Sequence, residues 1–161
     1  MTDPRLSGTA AALLDALARE LSDLELEFDD LVDLVERLET AWEPALRPLL
    51  EQHLAAAVDA GNWYARDELA AVLAHVTGPD CLPLVLRAWS RDLGDDKDSL
   101  TTTVLELACE EPDIARSTII PWLGHDDAAL RETAAWLLGF VPLPDDTLLL
   151  AHTVEDPEGS A

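Results

Sequence analysis

Apolar residues recur along the chain at helical spacing, in stretches of about 12 to 17 residues cut by turn signals, and strand-type alternation is almost absent. Leu13, Leu14, Leu17 and Leu21 make one stripe and predict a helix over Arg5–Leu21. Ser22 and Asp23 offer a break and a new N-cap. Phe28, Leu31, Val32, Val35 and Leu38 then form the apolar face of a helix over Glu25–Glu39, whose other positions carry Glu25, Glu27, Asp29, Asp30, Asp33 and Glu36. Further helices are predicted over Glu43–Ala60, Asn62–Val76, Pro79–Leu93, Lys97–Cys109, Pro112–Leu123 and Asp126–Val141, separated by Gly61, Gly78, Gly94 and similar breakers. Pro142-Leu143-Pro144 stops the last of these, and Asp145-Asp146-Thr147 can start a terminal helix through Leu148, Leu149 and Leu150. The tail from Glu155 to Ala161 is expected to be disordered and acidic.

The helices fall into pairs. Leu46-Arg47-Pro48-Leu49-Leu50, Cys81-Leu82-Pro83-Leu84-Val85 and Ile119-Ile120-Pro121-Trp122-Leu123 each read as the opening of one pair, with prolines 35 and then 38 positions apart. In the second helices, Ala65, Leu69, Leu73 and Val76 align with Leu100, Val104 and Ala108, and with Leu130, Ala134, Leu138 and Val141. The stretch Ile119–Val141 resembles a HEAT repeat, with Asp126, Leu130-Arg131, Ala134 and Leu138-Gly139 standing where that family has its recurrent Asp, Val-Arg, Ala and Leu-Gly. The middle pair departs from the pattern. It has Thr101 where Arg131 stands, and its aspartates lie in the extended turn Gly94-Asp95-Asp96-Lys97-Asp98. The resemblance covers residues 43–141 and implies an all-α fold, a short right-handed α-α superhelix of about eight to nine helices in one domain, residues 1–154. Residues 1–41 would be a divergent pair or cap and residues 144–153 a terminal helix. Ala70, Ala71, Ala134 and Ala135 would let neighbouring helices approach, and Arg66 and Arg131 are expected to be structural.

Composition sharpens this picture mainly through charge. The 161 residues are 48% hydrophobic, enough for one ordinary core. Against 33 acidic residues stand only 10 basic ones, a formal net charge of -23. A polyanionic duplex would be repelled, so nucleic acid is not expected as a partner and a basic protein is. The acidic surplus reads equally as a device for solubility. Nine carboxylates between Asp23 and Glu43, with Arg37 the one cation among them, read either as a solvated face or as a surface for a basic partner. No apolar run approaches the roughly 18 residues of a membrane span and no leader pattern precedes the first helix, so the expected location is cytoplasmic.

Catalytic chemistry finds little support. His53, His75, His125 and His152 are scattered without the paired spacing of a zinc site, and phosphate-cradling or nucleophile-elbow motifs are absent from the sequence. Asp95, Asp96 and Asp98 lack the spaced ligands of a calcium loop, and these, like Asp126-Asp127, read as helix caps. Cys81 and Cys109 are expected to be buried thiols. Of five tryptophans, Trp122 and Trp136 read as packing residues, whereas Trp63-Tyr64, beside Asp67 and Glu68 at a helix start, has the chemistry of an interface anchor.

The expectation is a non-catalytic protein-binding scaffold with an acidic surface and no metal or cofactor, one form being an inhibitor or immunity-type protein that covers a basic partner. The residues expected at that surface are Asp29, Asp30, Asp33, Glu36, Trp63, Tyr64, Asp67, Glu68, Asp98, Glu106, Asp127 and Arg131. The helices Asn62–Val76, Lys97–Cys109 and Asp126–Val141 would line one curved face. The alternative is a HEAT-like nucleic-acid-modifying enzyme or a lyase-type accessory subunit. It is disfavoured because Arg131 is the last basic residue after Trp122. In solution the chain is expected to be a monomer or a weak homodimer.

Overall fold

A computed structural model describes residues 4–22 and 28–142, and side chains from Ala10 onward in the first segment and from Leu31 onward in the second. The described residues are helical and contain no strand. The helices are α1 (Pro4–Glu20), α2 (Phe28–Thr40), α3 (Arg47–Asp59), α4 (Trp63–Thr77), α5 (Leu82–Ser90), α6 (Asp98–Glu110), α7 (Pro112–Trp122) and α8 (Ala128–Leu138). The Asp23 cap, the terminal helix through Leu150 and the acidic tail lie outside the described residues.

Each consecutive pair packs on itself: α1 on α2, α3 on α4, α5 on α6 and α7 on α8. Successive pairs then stack in two layers, α1 on α3 and α3 on α5 in one, α2 on α4 and α4 on α6 in the other. No pair could bury its apolar stripe alone, so the core is continuous across them, from Leu14, Leu17 and Leu38 through Leu50, Leu69 and Leu73 to Leu86, Val104 and Ile119. The final pair breaks the layering. α8 packs on α5 and α7, so the row formed by α2, α4 and α6 is not continued by α8. The three helices expected to line one face therefore do not form one row.

The proline periodicity has a physical basis in two of the three places. Pro44 and Pro79 open 3-10 turns, Pro44–Leu46 and Gly78–Cys81, and Pro48 and Pro83 follow in the first turns of α3 and α5, where a missing N–H costs nothing. Buried residues recur at the same 35-residue offset: Leu46 with Cys81, Leu50 with Val85, Ala65 with Leu100, Leu69 with Val104 and Leu73 with Ala108. Pro121 is different, because it sits inside the last turn of α7 and the helix opens at Pro112. The motif Ile119–Leu123 therefore closes a helix rather than opening one. In α8 the buried stripe is Leu130, Ala134 and Leu137, with Leu138 only half-buried.

Smaller corrections follow from burial. Val32 is exposed although it shares the spacing of the α2 stripe, Ala71 and Ala135 face outward while Ala70 and Ala134 pack inside, and Cys109 is exposed. Cys81 is buried, and that burial pushes its thiol pKa up. The stretch Trp63–Ser90 contains a window of mean hydropathy 1.6, apolar enough by composition to span a bilayer, contrary to the sequence expectation. Within it α4 ends at Gly78, held at φ 60, and Pro79 starts the turn into α5, which packs back on α4.

Asn62 joins the first pair to the second. Its side-chain oxygen accepts the Ala65 N–H at 2.9 Å, capping α4, while its amide nitrogen donates to the Leu21 carbonyl at the end of α1 at 3.0 Å. Asn62→Ala removes both bonds and is expected to cost about 1–2 kcal/mol in chemical denaturation, whereas Asn62→Asp keeps the cap and loses only the donor to Leu21.

Candidate functional site

The start of α4 carries a buried charge cluster. Arg66 faces inward one residue after the first buried alanine of the helix and is wholly inaccessible, at 0% exposure. A guanidinium there needs counter-charges within the fold. Asp67 accepts from its Nε at 2.8 Å, and Asp95, from the loop before α6, accepts from Nη1 at 3.2 Å and Nη2 at 2.5 Å in a two-pronged pair. Burial alone would lower the pKa of Arg66, but the hydrogen bonds and charges of Asp95 and Asp67 outweigh it and raise the value. Burial raises the Asp67 carboxyl despite Arg66 beside it, with Asp95 and Asp96 adding repulsion. Burial also acts on Asp95, but the Arg66 bond and charge, with the Lys97 N–H, hold its carboxyl below the usual range.

That loop passes its geometry on to the aromatic residues. Asp95 accepts the Lys97 N–H at 3.0 Å and helps hold Lys97 at φ 61, a left-handed conformation that costs about 1–3 kcal/mol without support. Lys97 Nζ donates to the Trp89 carbonyl at 2.9 Å and lies 4.9 Å from the Trp89 ring centre. Trp89 in turn donates its ring N–H to Thr101 at 2.9 Å and stacks on Trp136 of α8, ring centres 4.4 Å apart at 9°. Phe140 continues the stack at 5.3 Å and is 53% exposed. Trp122 is buried, with the Arg87 guanidinium 5.1 Å from its ring centre.

The residues expected at a binding surface fall into separate places. Asp29 and Asp30 lie in α2, and their side chains are outside the described residues. Asp33 and Glu36 are exposed on the same helix, Asp33 in a 3.4 Å contact with Arg37. At the start of α4, Trp63 is 49% exposed and meets Tyr64 edge to face at 5.9 Å. Tyr64 and Glu68 are half-buried, and burial raises both pKa values, Glu68 adding to the shift of Tyr64 and Asp67 to that of Glu68. Asp67 is no surface residue, since the cluster with Arg66 consumes it. Asp98 is exposed in the first turn of α6.

Glu106 is exposed farther along α6 and borders an open groove of about 260 Å³ between α4 and α6, floored by Ala71, Ala74 and Leu107 and rimmed by Glu106, Glu110 and His75. His75 also stands 3.7 Å from Glu39 of α2. Asp127 caps α8 by accepting the Ala129 N–H at 2.9 Å, so the cap falls one residue after Asp126. Among the described residues Arg131 meets no acidic side chain. It donates to the carbonyls of His125 at 2.6 Å and Asp126 at 2.8 Å, closing the turn between α7 and α8. The helices α2, α4 and α6 that carry most of these residues pack in one row, and Asp127 and Arg131 lie at α8, outside it.

The basic residues have internal duties. Arg47 bonds Glu51 at 2.7 Å and the Asp80 carbonyl, Arg66 and Lys97 are occupied as described, and Arg116 donates to the carbonyls of Val141 and Pro142. Sequence reasoning missed the pairing of Asp95 with Arg66 and the roles of Trp89 and Lys97, because their partners lie outside any helical period. Among the described residues no group of three His, Cys, Asp or Glu side chains is placed to hold a metal ion. Comparisons with protein-family models, with curated proteins and with solved structures return no match.

The cluster has a pH signature. Asp67 and Glu68 have raised folded pKa values, so protonating them favours the folded state, and stability should rise as pH falls from neutral toward the ordinary carboxylate range near about pH 4. Asp95 has a lowered folded pKa, so its contribution is present above that range and is lost as pH falls below about 4 through its folded value. Thermal melts across pH should show a maximum on the acid side of neutrality followed by a steep fall. Asp95→Ala should remove the low-pH fall and cost about 3 kcal/mol at neutral pH, read by denaturant titration.

Proposed function

We propose that this chain is a non-catalytic protein-binding scaffold, a short right-handed superhelix of HEAT-like pairs whose acidic row engages a basic protein. The observation that carries the reading is the division of charge. Arg47, Arg66, Lys97, Arg116 and Arg131 are tied to carbonyls, carboxylates or rings of the fold, while Asp33, Glu36, Asp98, Glu106 and Glu110 face outward. The outward carboxylates of a chain with 33 acidic and 10 basic residues set a negative surface field, and such a field steers cationic partners and sets their association rate.

The two-layer packing of α1 to α6 and the 35-residue recurrence of buried positions support the repeat assignment. The groove between α4 and α6 has the form of a recipient for a lysine or arginine side chain, because alanines at its floor leave room and Glu106 and Glu110 stand one turn apart on its rim. Trp63, next to Tyr64 at the other end of α4, supplies a rigid aromatic anchor on the same helix. An inhibitor or immunity-type protein that covers a basic toxin or nuclease is the specific form this chemistry fits, with carboxylates standing in for phosphates.

Affinity capture from the native host should recover a basic protein whose retention falls steeply between low and physiological salt. The triple variant Glu36→Lys, Glu106→Lys, Glu110→Lys should lose that protein while keeping the wild-type melting curve. Unchanged capture by the charge-reversed chain would contradict the reading.

A further inference from the structure

On the layer opposite the acidic row, α3 and α5 lie side by side but leave between them an open groove of about 310 Å³, closed at one end by the start of α8. Its floor is apolar: Val58 of α3 and Leu84 of α5 are half-exposed there, over Leu54, Ala88 and, at the closed end, Leu130 of α8, which are buried in the core. Its walls have opposite sign. The α3 wall carries Glu51 and Asp59, one at each end of the apolar stretch, and the opposite side carries Arg87 of α5 and Arg91, the residue just past the end of that helix. Among the described residues no ion pair crosses from one wall to the other. Glu51 is paired with Arg47 on its own helix, so Asp59 sets the sign of the α3 wall, while Arg87, held over Trp122, keeps its charge on the other side. Arg47, Arg66, Lys97, Arg116 and Arg131 bind the chain's own backbone or carboxylates, whereas Arg87 and Arg91 are exposed together on one side of this groove.

We propose that this groove receives an amphipathic helix of a partner protein, apolar ridge down, with its basic flank against α3 and its acidic flank against α5. A helix laid between two helices buries its ridge on the apolar floor. The charged walls then choose its orientation, because turning it end for end with the ridge kept down exchanges its flanks and places like charges together. The Arg87 and Arg91 guanidinium groups offer paired N–H donors to a carboxylate, and Asp59 with the Asp127 end offers acceptors to a lysine. This surface is separate from the α2, α4 and α6 row, so it does not depend on the acidic face binding anything.

The test uses two synthetic helical peptides of about 15 residues, long enough to hold helicity when alanine-based. Both carry the same leucine ridge, composition and net charge. One bears glutamates on one flank and lysines on the other, and its counterpart has the two flanks exchanged. Fluorescence anisotropy against the full chain should show one peptide binding at least about tenfold tighter than the other. The double variant Asp59→Lys, Arg91→Glu, which cancels the opposition of the two sides without changing net charge, should abolish that preference. Asp59→Asn and Arg91→Gln, which add no charge and sit at exposed positions, should each narrow the preference. Equal binding of the two peptides, no measurable binding of either, or an order that survives the double variant overturns the proposal. It is also overturned if binding first appears when the chain is cut after Pro142, or if a self-associated form that the double variant dissolves blocks the groove, since the occupant is then the chain's own end or a second copy. Glu106→Lys and Glu110→Lys should leave the preference intact, which separates failure here from failure of the acidic face.

Discussion

A guanidinium with no access to water must find its counter-charges inside the protein, and for Arg66 that requirement reaches far beyond α4. One counter-charge, Asp67, comes with the helix, but the other must be brought from the loop before α6. Placing Asp95 there turns the chain so that Lys97 is left-handed, and this lays the Lys97 ammonium over Trp89. Trp89 then offers a flat ring to Trp136, and α8 comes to rest on α5. The departure of the last pair from the two-layer stack follows from this sequence of contacts. What would be a plain repeat on apolar packing alone acquires a specific joint between its second and third pairs. Buried ionic clusters contribute little net stability compared with apolar packing of equal volume, and their value here is in fixing the geometry of that joint.

The same economy shapes the surface. A chain with 33 acidic and 10 basic residues has few cations to place, and several of them sit at turns and joints where carbonyls or carboxylates need a donor. The carboxylates left over face water along α2 and α6, and they set the sign of the partner proposed for that row. Arg87 and Arg91, exposed side by side at one groove, give the opposite layer a different character. On this view the molecule has two faces of unlike selectivity, one dominated by a broad field and the other by a local pattern of opposed walls.

Most of the helices were legible because their apolar stripes are local. Leu14, Leu17 and Leu21, or Leu69 and Leu73, announce a buried face by spacing alone, and burial bears them out. Proline was legible where it starts a helix and misleading where it ends one, since Pro121 in Ile119–Leu123 has neighbours like those of Pro48 and Pro83 but sits in the last turn of α7. The candidate surface was less legible. Asp67 has the sequence context of an exposed acid, and only its position beside an inward-facing arginine removes it from solvent. Asp95 reads as a cap because its partner Arg66 is 29 residues away, and the structural role expected of Arg131 is met by carbonyls of the preceding turn. Exposure of Phe140 and Ile120, at 53% and 54%, had no local signal at all, since both stand in runs that read as core.

The central claim is that the Arg66 cluster holds the joint between α4, the loop at residues 91–97 and α6, and native-state hydrogen exchange reads that joint residue by residue. In the wild-type chain the Lys97 amide, bonded to Asp95, should open with nearly the same free energy as the amides in the middle of α4. In Arg66→Met, protection should collapse at Lys97 and in the first turn of α6 and weaken at Trp136, while α3 keeps its wild-type protection. Loss spread evenly over all helices, or a Lys97 amide already unprotected in the wild type, would contradict the account.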